Sequence, residues 1–120
     1  MDDVLKAQAL EMWRINNAAH QMLLDGISTE GLQDTMSTRG GRTVALQFAH
    51  VHNVRLAWLE IVGKEWLKDQ KKIDAKGKVD RALLKRRLQE SEEGIGRVMT
   101  HAFENEGQVK GFKRGVLPML

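Results

Sequence analysis

Leu5, Ala9, Met12, Asn16, Ala19 and Leu23 recur at alternating intervals of four and three, the spacing that lines side chains along one stripe of an α-helix. No Pro or Gly interrupts the run from Asp3 to Leu24. Asp2 and Asp3 suit the positive end of the helix dipole, and Gly26 is placed to end the helix as a left-handed residue. Ser28 or Thr29 then caps a short helical turn reaching Met36, before STRGGR interrupts the chain. That glycine pair lacks the spacing and the preceding strand of a phosphate loop, so it reads as a connection. Thr43 caps a second helix to about Val62, with Gly63 at its end. Its residues Val44, Phe48, Val51, Val54, Trp58, Leu59, Ile61 and Val62 gather on an apolar face too wide for a single neighbour. Residues 65–78 form a basic, glycine-containing connection, with Trp66 and Leu67 docking at its start. Asp80 caps a third long helix through about Glu106, with the inward stripe Leu84, Leu88, Ser91, Ile95, Val98 and Ala102. Gly94 and Gly96 each weaken this helix by about 1 kcal/mol relative to Ala, and they read as points of close helix packing.

These elements define an all-α, up-down bundle of three long antiparallel helices. Each stripe is wide enough for two neighbours, so a fourth helix is expected to be missing or supplied by another chain. Residues 1–120 read as one domain. The segment QVKGFKRGVLPML ends on apolar residues around Pro118, which is favoured in a first helical turn; the domain is therefore expected to be incomplete at its C-terminus.

Composition adds exclusions. The 120 residues contain no Cys, which removes disulfides, thiolate metal sites and cysteine nucleophiles. The acidic opening MDDVLKAQ is unlike a secretory leader, and no apolar run approaches the ~18 residues that span a bilayer, so a soluble cytoplasmic protein without membrane contact is expected. The net charge of +3 is local in origin: residues 68–87 carry nine Lys/Arg against three Asp/Glu. This stretch has no aromatic residue to stack on bases and no reading motif, so it is expected to be a solvated linker and helix face, and no nucleic acid is expected as a partner. Ser28, Ser37 and Ser91 show no accompanying pattern of base and orienting acid.

The remaining chemistry lies with histidines and two misplaced polar residues. His50 and His52 are two apart, and on a helix they point about 200° from each other, so at most one of them serves a given ion. Spacing alone leaves each as an edge residue of the apolar face or a ligand. His20 and His101 read as surface or edge residues. Asn16, centred on an apolar stripe, needs a polar partner, and Arg55 among apolar neighbours calls for an acid on another helix. Trp13, Trp58 and Trp66 are spaced as core anchors.

The run GRTVALQFAHVHNVRLAWLE resembles the second helix of the DinB/YfiT-like four-helix-bundle superfamily, in which a His is followed by an apolar residue at +4 and Trp or Leu near +8. His50, Val54 and Trp58 match that pattern. WRINNAAHQMLLDGI with STEGL, DRALLKRRLQESEEGIGRVM, and GQVKGFKRGVLPML are similar to the opening, the third helix and the lead into the fourth. The resemblance implies a divalent ion such as zinc or nickel, held by three histidines: one on the second helix, here His50, and two at HxxxH spacing on a later helix. It also implies metal-dependent thiol-transferase or hydrolase chemistry, with a low-molecular-weight thiol as one substrate class. This chain contains no HxxxH, so the implied metal site is incomplete. The expected roles are therefore a DinB-like metal protein of low occupancy, a homodimer whose chains complete each other, or a non-enzymatic helical interaction module.

Overall fold

The structure, a computed structural model, describes residues 3–35 and 42–104. Four helices follow in order: α1 (Asp3–Gly26), the single turn α2 (Thr29–Leu32), α3 (Val44–Val62) and α4 (Arg81–Glu104). A 3₁₀ turn, Lys64–Trp66, follows α3. The protein is all-α among the described residues, apart from one isolated bridge between Thr35 and Thr43. Residues 37–41 of the expected STRGGR connection, the end of the third helix beyond Glu104 and the C-terminal segment lie outside the described residues.

Local chemistry sets the helix starts. Ser28 Oγ accepts from the Gly31 amide at 2.9 Å, Thr43 Oγ1 from the Leu46 amide at 3.2 Å and Asp80 Oδ1 from the Leu83 amide at 2.9 Å. Each side chain satisfies an amide that the first helical turn leaves without a partner. The end of α1 is made differently from the expectation. Gly26 stays within the helix without a left-handed backbone. Instead the Arg81 guanidinium, from the start of α4, donates to the carbonyls of Leu24 and Ile27. A cation there also opposes the negative end of the helix dipole.

α4 is the central element: it packs against both α1 and α3, whereas α1 and α3 meet at few points. All six residues of its expected stripe, Leu84, Leu88, Ser91, Ile95, Val98 and Ala102, are buried. Two apolar clusters form along it. One joins Leu24, Leu32, Ala45, Ala49, Ile73, Val79, Leu84 and Leu88; the other joins Ala9, Leu56, Leu59, Ile95, Val98, Met99, Ala102 and Phe103. Trp13, Trp58 and Trp66 pack against the second cluster, as expected of anchors.

The two glycines of α4 have different roles. A Cβ on Gly94 would lie 3.0 Å from Leu59 Cδ1 and 3.2 Å from Gln70 Nε2, so this glycine does serve close packing. Around Gly96 there is nothing within 4 Å, and the packing expectation fails there. Gly96→Ala should therefore recover the helix propensity at no steric cost, about 1 kcal/mol, raising the thermal midpoint by about 3–5 °C in a calorimetric scan.

Candidate functional site

The buried stripe of α1 is rotated from the expected one. Ala9, Asn17 and Leu24 are buried, with Leu10 and Trp13 beside them, while Leu5, Met12, Asn16, Ala19 and Leu23 are exposed. Val4, Met12, Ile15, Met22 and Leu23 are each more than half exposed. At 100° per residue they form an apolar arc along the outside of α1, adjoining Asn16 on the side toward α3. α3 is rotated likewise: Ala45, Ala49, His52, Arg55, Leu56 and Leu59 are buried, while Val54 and Ile61 remain exposed.

This rotation brings a polar layer to the middle of the bundle, between the two apolar clusters. Arg55, on α3, is 95% buried, being 5% exposed. Its Nη1 donates to Asn17 Oδ1 of α1 at 3.3 Å, and to the Leu88 carbonyl at 2.9 Å and Ser91 Oγ at 3.1 Å on α4. The guanidinium carbon lies 4.7 Å from the centre of the Trp13 ring, a cation–π distance. Trp13 is itself held by donation from Nε1 to the Glu92 carbonyl at 2.9 Å. Asn17 Nδ2 donates onward to Gln89 Oε1 at 3.2 Å. The expected acid partner of Arg55 is not found: among the described residues no carboxylate forms an ion pair with it. Burial pulls the guanidinium down to about 10, with the Glu92 carboxylate opposing that shift from a distance. Arg55 thus stays cationic at neutral pH, held by neutral acceptors and an aromatic face. Glu92 in turn is raised by its own burial and by Glu93.

Beside this layer, α1 and α3 diverge over α4 and leave a groove of about 270 Å³, lined by Trp13, Asn16, His50, Val51, Val54, Arg55, Trp58 and Ile95. His50 lies exposed at its lip. Among the described residues, no group of three His, Cys, Asp or Glu side chains converges as a metal site would require.

His52 points elsewhere and is wholly buried, where an edge position was expected. Its Nε2 lies 2.6 Å from the Lys71 carbonyl. A carbonyl only accepts, so Nε2 carries the proton, and Nδ1 is left buried without a partner. The neighbouring Asn53 donates to the Ile73 carbonyl at 3.0 Å and accepts from the Ile73 amide at 2.9 Å. Together these two side chains pin the α3–α4 connection to α3. Burial pushes His52 below its ordinary value, outweighing the opposing bond to Lys71. Between the unfolded value of about 6.5 and the lower folded one, the unfolded chain therefore binds the extra proton. Stability should fall as pH drops below about 6.5, through this group's extra proton in the unfolded chain. Urea unfolding across that window checks it; His52→Gln, which keeps a donor for Lys71, should lose this part of the pH dependence.

Asn17 and the acceptor role of Ser91 escaped the sequence reading. Trp13, Asn17 and Leu24 do share a helical spacing, but the rival stripe through Met12 and Leu23 carries more apolar residues. The fold and site together define a small all-α protein of three long packed helices with a cationic polar layer. Compared with known families, curated proteins and solved structures, the chain matches no family model, no curated sequence and no solved structure. No described helix is long and apolar enough to cross a membrane.

Proposed function

We propose that this protein is a helical interaction module, completing a four-helix bundle with a helix from a second copy of itself. The observation that carries the reading is the uncovered apolar arc of α1, with Met12 69%, Ile15 59%, Met22 74% and Leu23 58% exposed. Val54 and Ile61 of α3 extend the apolar surface across the groove. A contiguous apolar face of this kind marks a contact surface, and a two-fold pair lets each chain cover the other's. Sedimentation velocity at micromolar concentration should give a dimer; a monomer throughout that range would end the reading.

A second reading keeps the resemblance to the DinB/YfiT-like superfamily, and the position of His50 at the groove lip favours it. A fourth helix laid over the groove would bring its own side chains to that imidazole. The described residues alone do not fit a divalent ion, because one imidazole makes no stable site and the Arg55 cation shares the groove. Any metal-dependent thiol-transferase or hydrolase activity would then need ligands from other residues or another chain. Zinc titration by calorimetry decides between the two: tight binding lost in His50→Ala supports a metal protein, and equal behaviour of wild type and variant removes it.

A further inference from the structure

We propose that the groove between α1 and α3 binds a small organic carboxylate with an apolar body, whose carboxylate pairs with the Arg55 guanidinium in the groove wall. The inference goes beyond the interaction module and does not depend on the oligomeric state. Three observations converge on it. The hydrogen bonds of Arg55 all leave from Nη1, and Nη2 is buried without a partner. A buried donor without an acceptor asks for an explanation, and a cation held only by neutral groups asks for an anion. Arg55 also forms part of the wall of a groove that is otherwise mostly apolar, with Trp13, Val51, Val54, Trp58 and Ile95 around it.

The chemistry narrows the ligand. A planar carboxylate matches the paired N–H donors along one edge of a guanidinium, which a point acceptor does not. A divalent cation would be repelled by the same group. The groove's volume of about 270 Å³ corresponds to on the order of nine non-hydrogen atoms, taking about 30 Å³ for each as for liquid water. Its aromatic walls suit an aliphatic or aromatic body, and Asn16 and His50 at the rim offer polar contacts to a substituent. In a completed four-helix bundle this groove would become interior space between facing helices, a usual place for bound ligands.

Octanoate and octan-1-ol share a body of this size and differ at the head group, so the full-length protein should be titrated with each. Two readouts apply: tryptophan emission, since Trp13 and Trp58 line the groove, and the ¹⁵N-edited NMR signal of Arg55 Nε–H. Saturable octanoate binding, about tenfold or more tighter than octan-1-ol, with a shifted Arg55 signal, is expected. Arg55→Met should abolish that preference; if the variant does not fold, the wild-type NMR signal still decides. Equal affinity for acid and alcohol, no saturation by octanoate in the millimolar range, or an unmoved Arg55 signal would each overturn the proposal. A dimer that forms without binding octanoate would leave the interaction module standing while the carboxylate site falls.

Discussion

Replacing Asn17 with Leu and Ser91 with Ala together is expected to lower the unfolding free energy by about 3–5 kcal/mol, the range for stripping partners from a buried charge. The two side chains supply two of the three acceptors of Arg55 Nη1, at 3.3 and 3.1 Å, leaving only the Leu88 carbonyl. Water offers Arg55 little relief, because it is only 5% exposed, and it does not release its proton, because its value of about 10 lies well above neutral pH. The cost is therefore that of a buried cation with fewer hydrogen bonds, not that of two lost contacts. Adding Arg55→Met to the pair should recover most of the loss, since a methionine of similar length fills the space without a charge to solvate. Urea denaturation of the wild type, double and triple variants measures both steps. A double variant within about 1 kcal/mol of wild type would mean that the polar layer is not what holds Arg55.

Placing Glu at Met12 and Leu23 is expected to convert a dimer to a monomer, weakening association by about a thousandfold or more, equivalent to about 4 kcal/mol. Two carboxylates would have to be buried against apolar surface with no partner, and a two-fold pair doubles their number. The same substitutions should leave the fold of the chain intact, because Met12 and Leu23 are 69% and 58% exposed within it. Sedimentation equilibrium reads the association and far-ultraviolet circular dichroism reads the fold. Loss of helix in the variant would show instead that the arc of α1 supports the chain's own packing.

Much of the architecture was legible along the chain because it rests on local rules. Thr43 and Asp80 cap α3 and α4 as their positions suggested, and every residue of the Leu84–Ala102 stripe is buried. That stripe has little competition: its helix is polar on its other faces, so only one rotation buries apolar area. α1 carries two stripes at helical spacing, and the one with more apolar residues is not the one buried. The one with Trp13 won the interior, since its indole both packs on the core and finds the Glu92 carbonyl. The stripe through Met12 and Leu23 was left outside. The same ambiguity hid the polar layer, because Asn16 and Asn17 are adjacent in the chain and point about 100° apart, so the choice of stripe decides which of them is buried.

The sequence by itself determined the helices, their starts and the face that α4 turns inward, since capping and 3.6-residue periodicity act within a few residues. It also established that His50 and His52 cannot serve one ion. Only the tertiary structure decided which way α1 and α3 rotate about their axes. That choice buried Arg55 among Asn17, Ser91 and Trp13, sent His52 to the Lys71 carbonyl and left His50 at a groove. The physical reason is that a rotation of one helix is settled by the summed packing and hydrogen bonding of its neighbours, which no single stretch of the chain contains.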